Sequence, residues 1–123
     1  MRRWMSSCAG LALALWMAGA QAHAHLRGSV PANDSVSRTA PASAVLDFSE
    51  PARLTAAWIR KSGGQNHKLA SLPSTSSARV SVPLPPLMPG RYELSWRALS
   101  ADGHIVPGHI RFTVSRPGAP AKR

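Results

Sequence analysis

Cysteine is almost absent from this 123-residue chain; Cys8 is the only one. A single thiol excludes an internal disulfide, and without a cysteine cluster there is no thiolate site for structural zinc or an iron–sulfur group. Acid is scarce as well: 5 Asp+Glu stand against 15 Lys+Arg, for a formal net charge of +10. Such an imbalance raises nucleic acid or an anionic membrane surface as partners. Helical periodicity never runs for more than a few residues, and 11 Pro with 9 Gly disfavour a helical bundle. There is no G-x-S-x-G motif and no phosphate-binding glycine loop, so no nucleophile constellation emerges. The length admits one compact domain and excludes a large multidomain enzyme.

What is present divides at the amino end. Residues 1–22 read as a secretory signal peptide: Arg2 and Arg3 form the charged start, an apolar run spans about Cys8 to Ala18, and Ala20-Gln21-Ala22 is a small-x-small cleavage site. The apolar run is too short for a comfortable transmembrane anchor. Cys8 stands at the start of that run and not after it, which argues against lipoprotein processing at this residue. Removing 22 of 123 residues leaves 101 and takes away Cys8, two arginines and no acid, so the charge falls from +10 to +8. A thiol-free domain of that size can rest on a hydrophobic core without staples. Export, to a destination where nucleic acid is not a usual ligand, makes the remaining charge read as a general surface property. All five histidines (23, 25, 67, 104 and 109) survive cleavage.

The remaining chain alternates short apolar runs with turn signals. Val45–Phe48 stops at Ser49-Glu50-Pro51, Leu54–Arg60 stops at Ser62-Gly63-Gly64, and Val80–Val82 stops at the prolines between 83 and 89. Arg91–Leu99 alternates with Tyr92, Leu94, Trp96 and Ala98 on one face, and Ile110–Val114 alternates again. Strands at spacings of roughly ten residues predict an all-β domain, a small antiparallel Greek-key sandwich or barrel. The proline cluster belongs in a loop or at a sheet edge. Trp58 and Trp96 are expected in the core, Met88 in loop packing, and His67 and His109 at the surface. The domain is expected over 23–116, with a disordered tail over 117–123.

Two short stretches carry candidate chemistry. Cleavage after Ala22 leaves His23 first, with His25 two residues on; cleavage after Ala24 leaves His25 first. A terminal histidine offers a free α-amine and an imidazole that together chelate one metal, and such nitrogens favour late divalent metals, Cu(II) above all. His23-Ala24-His25 is also a free terminus with histidine third, which can bind Cu(II) on its own. The second stretch is Ser100-Ala101-Asp102-Gly103-His104. In extended chain, residues two apart share a side, so Asp102 and His104 can converge, and Gly103 permits the bend. A D-G-H sequence is also simply a good turn. Amine, two imidazoles and a carboxylate make an N,O set suited to one Cu(II) ion. Glu50 is either an acceptor that orients a ligand histidine or a solvated strand end.

With these residues in view, the chain resembles the CopC family of periplasmic copper-resistance and copper-homeostasis proteins. The carrying stretches are Ala22–Leu26, Ser29–Ala32, Leu46–Pro51, Pro89–Tyr92, Trp96–His104, and Gly108 with Phe112–Val114. Their order and spacing together, more than any one of them, are specific. The resemblance implies a small β-barrel or sandwich of cupredoxin or immunoglobulin-like character. It implies Cu(II) held by the amine and imidazole of His23, by Asp102 and by His104, with Glu50 near the site and His25 accessory at most. It further implies a copper-binding protein that performs no turnover, a monomer, with copper and a membrane importer of the CopD type as partners and no nucleic acid. Two departures stand out. Some members carry a methionine-rich Cu(I) loop, whereas 58–69 contains no methionine, and proline often follows the motif's histidine, where this chain has Ile105. Two rival functions are a histidine-brace copper oxidoreductase and a metal-free β-sandwich interaction module whose basic surface meets acidic lipid headgroups.

Overall fold

The computed structural model describes residues 24–116. The expected signal peptide, His23 and the 117–123 tail lie outside the described residues. Seven strands follow in chain order: β1 (Leu26–Val30), β2 (Ser35–Ser37), β3 (Ser43–Lys61), β4 (His67–Lys68), β5 (Ser77–Pro83), β6 (Gly90–Ser100) and β7 (Ile105–Val114). They form one sheet in the order β1-β3-β6-β7-β2, with β4 and β5 also paired to β3. The all-β expectation holds, and every pairing but one is antiparallel; β2 adds to β7 in parallel through Ser35↔Phe112, Val36↔Thr113 and Ser37↔Val114.

The sequence places a strand end at Ser49-Glu50-Pro51, but β3 runs through it for 19 residues. The reason is a change of partners. Up to Phe48 the strand lies between β1 and β5, and from Ala52 it pairs with β6. Residues 49–51 are all exposed and stand between the two ladders. A proline without an N–H costs nothing at a corner where no neighbour asks for one. The β3–β4 connection does turn where expected: Gly63 has φ +79°, and the Gly64 N–H donates to the Lys61 carbonyl at 2.7 Å.

The core is the shared inner face. Leu46, Val82, Leu94, Ile110 and Phe112 are the largest fully buried side chains. β6 supplies Tyr92, Leu94, Trp96 and Ala98, as its alternation predicts. Trp96 meets Phe48 edge to face at 6.3 Å between centroids, and Tyr92 stacks on Phe112 at 5.8 Å. Gly108 faces Trp96 across the β6–β7 ladder, where an added Cβ would sit 2.5 Å from the indole ring. A side chain there would collide with a ring the core cannot easily move.

Two side chains depart from their expected places. Trp58 is half-buried on the outer face, with the Arg97 guanidinium 5.4 Å from its ring centre. The cause is a one-residue register shift between Leu54 and Ala56, which moves the inward positions from Leu54 to Ala57 and Ile59. Met88 is 71% exposed and packs little; only its carbonyl is engaged, accepting from the Tyr92 hydroxyl at 2.5 Å. His67 and His109 are exposed, as expected.

Candidate metal centre

The inward phase of β6 ends on a polar residue. Tyr92, Leu94, Trp96 and Ala98 point into the core, and the next position in register is Ser100, 3% exposed. A buried hydroxyl must find partners. Ser100 finds them in the turn that joins β6 to β7: its hydroxyl reaches Asp102 Oδ1 and, at 3.1 Å, the His104 carbonyl. The backbone closes the same turn, with Ser100 N–H donating to the His104 carbonyl at 2.9 Å and Gly103 N–H to the Ser100 carbonyl at 3.0 Å. Gly103 sits at φ +85°, a conformation that favours glycine.

This turn brings the D-x-H pair together. His104 Nδ1 lies 2.8 Å from Asp102 Oδ2, and the His104 backbone N–H donates to Asp102 Oδ1 at 3.2 Å. The imidazole is 69% exposed and the carboxylate side chain 25% exposed, so the pair opens to solvent. Hydrogen bonds from the Ser100 side chain first, and then from His104, hold the Asp102 carboxyl well below the usual carboxylate range. Asp102 is therefore an anion at any pH at which an imidazole can ligate. The separation also suits a metal. Two ligand atoms about 2.0 Å from one ion, at right angles, stand about 2.8 Å apart. The distance between the two donor atoms is therefore compatible with one shared ion, reached by a turn of the exposed imidazole.

The amino end of the domain arrives at the same edge. Ala24 is 1% exposed, and His25 is locked to β3 by two hydrogen bonds, His25 N–H to Ser49 Oγ at 2.9 Å and Ser49 N–H to the His25 carbonyl at 2.7 Å. Three residues along β3 from Ser49, Ala52 pairs with Ser100, where the β6–β7 turn begins. Glu50 lies between these two anchors with its side chain exposed. His25 is itself exposed. Among the described residues no three His, Cys, Asp or Glu side chains converge on a metal position; Asp102 and His104 are two donors of an incomplete set. Sequence reasoning missed Ser100. Its signal was available, since a serine in phase with four buried β6 residues has to be satisfied by something nearby.

Comparison with known proteins identifies the family. A family model described as the CopC domain matches residues 26–115. Copper resistance protein C of Escherichia coli is 34% identical over 107 residues, spanning 77% of this chain and 83% of that protein. The crystal structure of CopC from Methylosinus trichosporium OB3b superimposes with a TM-score of 0.69 at 25% identity, covering 80% of this chain and 100% of that one. Copper transport protein CutJ of Bacillus subtilis (strain 168) is 28% identical over 100 residues, which are 77% of this chain but only 18% of that longer protein.

Proposed function

Since the chain belongs to the CopC family, we propose that it is an exported, periplasmic copper-binding protein that takes one Cu(II) ion at the edge where its amino end meets the β6–β7 turn. Two of its relatives are named for copper, copper resistance protein C and copper transport protein CutJ. The assignment of ligands rests on one observation above the others: the Asp102–His104 pair is held at 2.8 Å by a turn that Ser100 organises. The third ligand group is the α-amine and imidazole of His23, generated by cleavage after Ala22. Chain reach supports it, because two residues span at most about 7 Å and His25 is fixed beside Ser49. Glu50, three residues or fewer from both anchors, is suited to orient an imidazole rather than to complete the set.

The donor set suits storage or transfer better than turnover. A permanently ionised carboxylate beside nitrogen donors stabilises Cu(II) and opposes the reduction that oxygen chemistry requires. The protein accordingly sequesters copper or passes it to a membrane importer. The importer is supported by the match to a fraction of a copper transport protein, in which a CopC-like portion accompanies a much longer chain. The domain acts as a monomer over 23–116.

The test is a competitive Cu(II) titration of protein beginning at His23 against the same protein extended by one alanine. The extension keeps every side chain and removes the chelating amine. Affinity should fall by at least tenfold; equal affinities would refute the ligand set.

A further inference from the structure

The positive charge is not spread evenly. Outward positions on β3, β6 and β7, read from the register, form rows across the open face of the sheet. From the metal-site end these rows are Arg53–Leu99–Ile105, then Arg97–Pro107, Trp58–Ser95–His109, Arg60–Glu93–Arg111 and Arg91–Thr113. Lys68 on β4 pairs with Trp58 and extends the third row. Six of the cations among the described residues (Arg53, Arg60, Lys68, Arg91, Arg97 and Arg111) therefore share one face with Glu93, and Asp34, beside Arg111, is the second acid at its far end. Glu93 is occupied, with Arg111 Nε at 3.1 Å and Arg60 at 3.7 Å. Ile105, 50% exposed, and half-buried Leu99 place apolar surface at the end nearest the metal-site turn.

We propose that this face docks on an anionic phospholipid surface. Eight residues of β6 separate Leu99 from Arg91, so the array is about 27 Å long, and four strands make it about 14 Å wide. An acidic peptide would add to a sheet edge or lie in a linear groove; a two-dimensional array of cations on an open face matches a planar array of charge. Five of the six cations are arginines, whose guanidinium pairs with phosphate oxygens in a bidentate fork. Trp58, apolar ring beneath and Arg97 above, has the amphipathic character of side chains at a membrane–water interface. The surface goes beyond the copper reading and does not depend on it. If both hold, docking sets the Asp102–His104 turn at the rim of the membrane contact, since that turn closes the β6–β7 hairpin at one end of the face.

The experiment uses the full chain, metal-free, with vesicles of phosphatidylcholine containing one-third phosphatidylglycerol and vesicles of phosphatidylcholine alone. The wild type is compared with a triple variant on the face (Arg53→Gln, Arg91→Gln, Arg97→Gln) and with an equal-charge control elsewhere (Arg27→Gln, Lys61→Gln, Arg79→Gln). All three share one amino end, so any affinity of residues 1–22 for lipid is common to them. Each cation near an anionic surface contributes about fivefold in binding. The face variant should lose at least tenfold of the preference for anionic vesicles, the control less than threefold, and the preference should collapse at high salt. Equal losses in the two variants would show a net-charge effect and overturn the proposal. So would a wild type that prefers neither vesicle, or a poly-glutamate peptide that binds the face more tightly than the vesicles do.

Discussion

Removing one oxygen at Ser100 tests how the β6–β7 turn, the proposed metal site, is organised. Ser100→Ala deletes a hydroxyl and opens no appreciable cavity, because alanine fits the buried site of a serine that is 3% exposed. Three contacts survive the change: Ser100 N–H to the His104 carbonyl at 2.9 Å, Gly103 N–H to the Ser100 carbonyl at 3.0 Å, and His104 N–H to Asp102 Oδ1 at 3.2 Å. The backbone contacts therefore keep the turn closed, while the hydroxyl's bonds to the Asp102 carboxylate and to the His104 carbonyl are lost. Removing such a supporting partner of a ligand costs about 10- to 100-fold in metal affinity. The surviving backbone contacts put the expected loss near tenfold. The hydroxyl is also the largest cause of the low Asp102 pKa, so the variant's carboxyl should titrate at higher pH. A depressed carboxylate stabilises the fold above its unfolded pKa, and that contribution is lost as pH falls through the folded value. In Ser100→Ala the loss should begin at higher pH. Competitive Cu(II) titration and NMR titration of the Asp102 carboxyl carbon read the two effects separately. Affinity within twofold of wild type, or an unmoved Asp102 titration, would refute the claim that Ser100 prepares the pair.

Two further outcomes follow from the same geometry. Acid release of copper should be governed by protonation of nitrogen ligands, because Asp102 keeps its charge to far lower pH; a release midpoint in the ordinary carboxylate range, followed by the visible absorption of the bound ion, would contradict this. Trp96→Ala should destabilise the domain by about 3–5 kcal/mol, whereas Trp58→Ala, on the outer face under Arg97, should cost about 1 kcal/mol. Thermal unfolding distinguishes them at about 4–8 °C per kcal/mol for a domain of this size, and equal losses would place both indoles in the core.

The parts of the fold that alternation encodes were legible. Tyr92, Leu94, Trp96 and Ala98 announce one buried face of β6, and Ile110, Phe112 and Val114 announce its neighbour. What alternation cannot encode is a change in its own phase. The register shift beside Thr55 falls next to the continuous apolar run 56–59, which has no alternation to show that Trp58 turns outward. The same shift decides which arginines share a face, so a charge that reads as general from composition becomes a patch only once the strands are aligned. The parallel addition of β2 was equally hidden, since three residues with one apolar side chain carry no pattern. At the site, the D-x-H spacing was readable because it is local. The role of Ser100 needed the burial phase of the whole strand.

The strand end inferred at Ser49-Glu50-Pro51 shows why that matters for function. Were the two halves of β3 separate strands joined by a free loop, nothing would fix the amino end of the domain relative to the β6–β7 turn. Because the strand continues through the corner, His25 is tied to Ser49 and Ser100 to Ala52, three residues apart. At about 3.3 Å per residue this holds the two segments about 10 Å apart along one rigid element. The proposed ligands His23 and Asp102, 79 residues apart in sequence, would then approach one another from two anchors on one strand, with two residues of chain and the side chains themselves to close the gap. The corner proline makes this possible by interrupting the hydrogen-bond ladders without interrupting the strand. A deletion within 49–51 should accordingly weaken copper binding even if the core refolds around it, because it moves one anchor past the other. Core packing alone would not register the change; the distance between the two halves of the proposed metal site would.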